Sequence, residues 1–176
     1  IFVGYTLLSI AVLFLALWWT QDLPLFETFW QALNHAMTAL STGGFSVTDN
    51  SMETYNSPLV ETVLLPVMTL GAVAFPIHYA VLSNGEWAEL YEDVQTRWLF
   101  LLLAGGIAVL SVQNMLVELP VAGYRASVPA PVPTLSTAEF DAIRDGTFQW
   151  VSALSCTGFQ SSPIGRWSDG GKLLLA

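Results

Sequence analysis

Nineteen consecutive residues, Ile1 to Trp19, carry no charged side chain. A helix of that length covers about 28 Å, close to the ~30 Å hydrocarbon core of a bilayer. Lipid offers a backbone no hydrogen-bond partners, so a run of this kind can cross only as a helix. The Trp18–Trp19 pair at its end reads as an aromatic anchor at headgroup level. Two further runs have the same character. Thr62 to Leu82 is interrupted by Pro66, Gly71 and Pro76, which predict kinks. Trp98 to Val117 opens on another interfacial Trp and contains Ala104–Gly105–Gly106, small enough for close helix contact.

Composition agrees with an integral membrane protein. Apolar residues make up 53% of the chain and the mean hydropathy is +0.56. Charged residues reach only 11%, against about 25% in an ordinary soluble domain. Fourteen acids against five bases leave a net charge of −9, which argues against nucleic acid as a partner. One cysteine forms no intrachain disulfide, and two histidines leave little for a zinc site. The chain starts at Ile1 and stops as a new apolar run begins at Leu173, so it reads as a piece of a longer protein. The first run lacks the basic flank and cleavage site of a signal peptide.

Between the first two runs, Thr28 to Leu40 (TFWQALNHAMTAL) predicts a helix of about three turns, too short to span but apolar enough to dip into a membrane. Glu27 stands at its positive N-terminal end. Ser41, Thr42, Gly43, Gly44 and Phe45 follow. After the third run the same order returns. Ser136 and Glu139 make a capping-box pattern, a helix runs to about Leu154, and Ser155, Cys156, Thr157, Gly158 and Phe159 follow. Residues 39–45 and 153–159 agree at five of seven positions, 114 residues apart. This is an internal repeat of span, half-helix, Gly-Phe loop and span. The expected divisions are a first pore repeat over 1–82, an amphipathic cytosolic connector over 83–97, and a second pore repeat over 98–176. The last span of that second repeat is truncated. The second repeat carries a Pro-rich insertion from Glu118 to Ser136 that should be extended and solvent-facing. Two crossings between the Gly-Phe loops place both on the same side of the membrane. Basic residues are too few to say which side, with none in 20–58, one in 83–97 and three in 118–170.

Irregular backbone at membrane depth is tolerated where it lines a path for water or ions. The C-terminal end of a half-helix brings about half an elementary negative charge to such a loop, which favours a cation. Carbonyls turned to an axis replace the hydration shell of an alkali ion. A loop that does this needs a residue free to adopt positive φ, a place for Gly44 and Gly158. Phe45 and Phe159 would then pack outward and brace the loop, while Thr42 and Cys156 would expose their side chains to the path.

The run from His35 to Asn50 resembles the second pore loop of the TrkH-type potassium uptake proteins, members of the Trk/Ktr/HKT cation transporter superfamily. Ser152 to Phe159 resembles the third, and Phe75 to Tyr79 is similar to that family's motif at the end of the second span. The resemblance implies an all-α membrane fold of repeated span, pore helix, filter loop and span units, four around one pore. This chain would supply the second and most of the third. It also implies a potassium filter of backbone carbonyls drawn from Thr42, Gly43, Gly44 and Phe45 together with Cys156, Thr157, Gly158 and Phe159. The loops would open outside a plasma membrane crossed several times. The expected partners are K+ itself as the transported ion, a cytosolic nucleotide-binding regulatory subunit like TrkA, and a second copy in a homodimer. No other cofactor is implied. Cys156 departs from the pattern, since a hydroxyl residue is usual there.

His35 and His78 read as structural histidines, and Gln113 and Asn114 as hydrogen-bonding residues between helices. Glu61, at the edge of the second run, is expected at the interface. Asp22, Glu27, Asp49 and Glu53 surround the first loop and could concentrate cations at its mouth. Trp87, Leu90, Tyr91 and Val94 fall on one face of a helix within 83–97, with Asp93 placed to pair with Arg97. Sodium preference within the same superfamily, or a secondary transporter with broken helices, remains compatible with these residues. The spans contain no Asp, Lys or Arg and the chain no HExxH, Walker or Gly-x-Ser-x-Gly motif, so an enzyme is not expected.

Overall fold

A computed structural model describes residues 1–117, 138–167 and 169–175. The Pro-rich insertion lies outside these residues, as does Ser136 of the capping box. The elements in chain order are α1 (Phe2–Thr20), α2 (Leu25–Leu40), α3 (Pro58–Ala72), α4 (Phe75–Tyr79), α5 (Glu89–Glu92), α6 (Val94–Val117), α7 (Ala138–Leu154) and α8 (Asp169–Leu175). The fold is all-α. Among the described residues two helices, α1 and α6, are long and apolar enough to cross a membrane, or three spans if the bent pair that begins with α3 counts as one.

The short helix α2 buries one face, with Ala32, Ala36 and Ala39 fully enclosed at helical spacing. Small side chains let the backbones of α1 and α3 come close to it. Leu13 and Leu17 of α1 and Leu64 and Met68 of α3 complete that core. Phe148, Val151 and Phe159 from the second repeat join the same cluster, so both repeats share one interior.

Helix α3 begins at a Ser57 cap, whose hydroxyl accepts from the Val60 N–H at 3.5 Å, with Pro58 in the first turn. It passes through Pro66 unbroken. The chain leaves the helix instead at Val73 and Ala74, which are extended, and the following segment bends by 106°. Pro76 then sits in the first turn of α4, where a missing N–H costs nothing. Thr62 to Leu82 is therefore not one continuous helix. His78 lies 3.0 Å through Nε2 from the Leu70 carbonyl and 3.2 Å through Nδ1 from the Tyr5 hydroxyl. A carbonyl freed by the break is thus satisfied by a histidine, in keeping with its structural reading.

The connector also differs from expectation. Only one helical turn, α5, forms between Gly85 and Asp93, and none of its residues is buried. Trp87, Tyr91 and Val94 are exposed, while Leu90 packs against Val73, Ile77 and Val81. The turn stops because Asp93 adopts an extended ψ and caps α6, accepting the Thr96 N–H at 2.7 Å. It forms no ion pair with Arg97. That capping bond holds the Asp93 carboxyl below the usual aspartate range.

Candidate filter loops

Helices α2 and α7 both stop at Leu and hand over to the two Gly-Phe loops. Neither has a basic residue in its last turn, so the negative end of each helix is left unneutralised. Immediately past each end the amide groups fold back onto the helix. The Thr42 N–H bonds to the Ala39 carbonyl at 3.3 Å and the Gly43 N–H to that of Thr38 at 2.8 Å. In the second loop, the Cys156 N–H bonds to Ala153 at 3.0 Å. The Thr157 and Gly158 N–H groups both bond to Ser152, at 2.9 and 3.2 Å.

These bonds fix where the carbonyls point. In a trans peptide the C=O lies opposite the N–H it shares a plane with. With the amides aimed at the preceding helix, the carbonyls of Ser41 and Thr42 must face away from it, as must those of Ser155, Cys156 and Thr157. Among the described residues the carbonyl oxygens of Thr42, Gly43, Gly44, Cys156, Thr157 and Gly158 accept no hydrogen bond.

The backbone turns needed for this are the same in both loops. Gly44 and Gly158 have φ of 67° and 77°, as the sequence led us to expect. Thr42 and Cys156 also have positive φ, 52° and 59°, which no residue type announced. A non-glycine residue in this region carries strain, and the same strain recurs 114 residues later. The Thr42 methyl packs toward Gly71 of α3, where an added Cβ would stand 3.0 Å from it.

The loops close at the Phe residues. The Thr38 hydroxyl donates to the Phe45 carbonyl at 3.0 Å, and the Ser152 hydroxyl to that of Phe159 at 2.8 Å. These two carbonyls therefore turn back to α2 and α7. The rings part ways, since Phe159 is 2% exposed and Phe45 77%. Phe159 stacks edge-on to His35 with centroids 6.0 Å apart, so the expected outward brace exists for Phe159 but not for Phe45.

The loops lie side by side. A Cβ at Gly44 would overlap the carbonyl oxygen of Thr157, a contact only glycine permits. Beyond the Phe residues, the Gln160 N–H donates to the Ser51 hydroxyl at 3.1 Å and the Gln160 carbonyl accepts the Glu53 N–H at 3.0 Å. The expectation that both loops open on one side agrees with this direct contact.

Behind the first loop runs a buried polar chain. Tyr55 donates to Gln31 Oε1 at 2.7 Å and lies 3.2 Å from His35 Nδ1. His35 Nε2 meets Ser46 Oγ at 3.1 Å and the Val47 N–H at 3.3 Å. His35 is thus satisfied at both nitrogens. Asn114 donates to the Ala142 carbonyl at 3.2 Å, joining α6 to α7 as expected of it. Glu61, expected at the interface, lies in the first turn of α3 and is buried against the Arg144 guanidinium of α7.

A sequence model of the family described as "TrkH: Cation transport protein" matches residues 1–176, the whole chain. The chain belongs to the TrkH cation transport family. This is a family of transporters, not of enzymes. Its relatives include an uncharacterised cation transporter of Methanocaldococcus jannaschii, 28% identical over 96% of this chain and 27% of its own length. The Trk system potassium uptake protein TrkH of Halomonas elongata is 27% identical over 84% of this chain and 27% of its own length. The crystal structure of the potassium transporter TrkH from Vibrio parahaemolyticus superposes with a TM-score of 0.73 at 20% identity, over 98% of this chain and 32% of that one. That superposition shows the fold. The chain spans about a quarter of the length of these curated relatives.

Two features of the loops and one contact between helices were not expected from the sequence. The Thr38 and Ser152 hydroxyls were legible in principle, because they occupy equivalent repeat positions seven residues before each Phe. The left-handed Thr42 and Cys156 gave no signal. The Glu61–Arg144 pair joins residues 83 positions apart, which spacing alone does not pair.

Proposed function

We propose that this chain contributes two adjacent filter segments to the pore of a potassium uptake protein and that dehydrated K+ passes along their backbone carbonyls. The observation that carries the reading is the orientation of the loop peptides. Amides bonded back to two half-helices leave a set of carbonyls aimed away from those helices, at their negative ends. The ion-facing set is then Thr42, Gly43, Gly44, Cys156, Thr157 and Gly158, through their carbonyl oxygens. Phe45 and Phe159 close the loops without facing the ion, since their carbonyls are held by Thr38 and Ser152. The names of the potassium-transporting relatives support K+ over Na+ as the cargo.

The remaining filter segments belong to the parts of the complete protein that this chain does not span. The filter loops open outside the plasma membrane, and the 83–97 connector lies in the cytosol. There it meets a nucleotide-binding regulatory subunit like TrkA, and the complete protein works as a homodimer. The test is complementation. The complete protein, expressed in cells that lack potassium uptake, should restore growth at low K+ and take up rubidium in preference to sodium. Growth restored only by sodium, or no cation flux from correctly inserted protein, would overturn the reading.

A further inference from the structure

Among the described residues, Glu61 and Arg144 make a charged contact that is buried at both ends and joins the two repeats. Arg144 on α7 donates through Nε to Glu61 Oε2 and through Nη2 to Oε1, both at 2.7 Å, in a two-pronged geometry. The side chains are 8% and 4% exposed. Asp141 Oδ1 lies 3.7 Å from Nη1 of the same guanidinium. Glu61 belongs to α3, the helix that follows the first loop, while Arg144 belongs to the helix that delivers the second.

The placement matters because α7 is a rigid rod pointing at the loop. Arg144 lies ten residues, about 15 Å of helix, before Leu154. Trp150, further along the rod, donates to the Leu102 carbonyl at 2.9 Å and tethers α7 to α6. An added Cβ at Gly106 of α6 would run into the same indole, so the tether is a tight one. A rod pinned to α6 near its tip and to α3 near its middle has its direction fixed. At its tip, the Thr157 carbonyl sits against Gly44 with no room for a methyl group. Small rotations of α7 would open or close that contact.

We infer that Glu61 and Arg144 form a positioning pair that sets the spacing of the two filter loops, and through it the discrimination between cations, although neither side chain supplies a ligand. The inference deepens the filter reading and rests on it for its selectivity part. A buried bidentate pair suits this task because its direction is fixed by two parallel bonds. It need not add stability, since an apolar pair of similar volume often packs as well. The carboxylates of Glu61 and Asp141 both lie beside the Arg144 guanidinium.

The experiment uses the complete protein with Glu61→Gln, with Arg144→Lys, and with the double change Glu61→Leu/Arg144→Met, which keeps the site filled without charge. Two readouts are taken: the loop geometry by cryo-electron microscopy in nanodiscs, and the ratio of rubidium to sodium uptake in proteoliposomes. The double variant should fold and insert, yet its 155–159 loop should shift against 42–44 and its rubidium preference should fall at least fivefold. Arg144→Lys, which keeps the charge and loses the fork, should fall between it and wild type. Unchanged loop spacing in the folded double variant overturns the positioning role, whatever ion the protein carries. Shifted loops with a wild-type uptake ratio overturn the selectivity part alone. A wild-type protein that transports neither ion would sink the filter reading, while the geometric arm still decides the positioning role.

Discussion

Gly44 and Gly158 occupy equivalent places, yet a methyl group should affect them differently. Both have positive φ, and an L-residue there costs about 1–2 kcal/mol. That strain alone shifts the balance between the aligned loop and relaxed alternatives by roughly 5- to 30-fold. At Gly158 it is the whole effect, because nothing lies within 4 Å of an added Cβ among the described residues. At Gly44 the methyl also overlaps the Thr157 carbonyl oxygen and stands 3.1 Å from its carbon. Both partners are backbone, which cannot rotate out of the way. The loops must then part by on the order of 1 Å before ordinary contact is restored. Gly44→Ala should therefore lose rubidium uptake and rubidium-over-sodium preference together, while Gly158→Ala slows uptake and keeps more of the preference. The assay is tracer uptake in cells expressing the complete protein, normalised to the amount in the membrane. Equal effects of the two variants would refute the loop–loop contact as the cause, and wild-type uptake in Gly44→Ala would refute the filter geometry itself.

Four further outcomes follow from the same geometry. Gly106→Ala should lower thermal stability in detergent, because its methyl would collide with the Trp150 indole, whereas Gly105→Ala, with open space around it, should not. Ser152→Ala removes the buried hydroxyl that holds the Phe159 carbonyl and should cost about 1–3 kcal/mol in unfolding measurements, with the carbonyl left unsatisfied. Gly71→Ala should reduce the yield of folded protein, because its Cβ would overlap the Leu40 carbonyl at the end of α2. The Asp93 carboxyl should titrate below the ordinary aspartate range, since the Thr96 N–H favours its ionised form. Its cap on α6 therefore contributes above the unfolded value and is lost as pH falls through the lowered one. Carboxyl NMR of selectively labelled protein reads that value directly.

The sequence made the class of the molecule and the two loops legible for physical reasons. A 19-residue uncharged run has one stable form in lipid, and α1 covers nearly all of it. The Gly-Phe loops announced themselves by repetition, which a lone glycine after a helix would not do. Glycine marks positive φ because it bears no Cβ penalty, so Gly44 and Gly158 could be read, while Thr42 and Cys156 could not. Of the kinks expected at Pro66, Gly71 and Pro76, the chain breaks between the last two, while α3 continues through Pro66. The true break at Val73–Ala74 is set by tertiary partners, with His78 capturing the Leu70 carbonyl and Pro76 opening the next turn. In the connector, the apolar spacing of Trp87, Leu90, Tyr91 and Val94 was real. Asp93 caps α6 instead of extending the helix, and local capping outweighed periodicity. The pairing of Glu61 was not legible because Arg144 lies 83 residues away, on a helix that only the fold brings near.

Anomalous diffraction from crystals of the complete protein grown in rubidium tests the central claim most directly. The ion should appear between the two loops, faced by the carbonyls of Thr42, Gly43 and Gly44 and of Cys156, Thr157 and Gly158. The Phe45 and Phe159 carbonyls should remain bonded to Thr38 and Ser152. Rubidium bound elsewhere in the pore while these loops keep their geometry and stay empty would contradict the account.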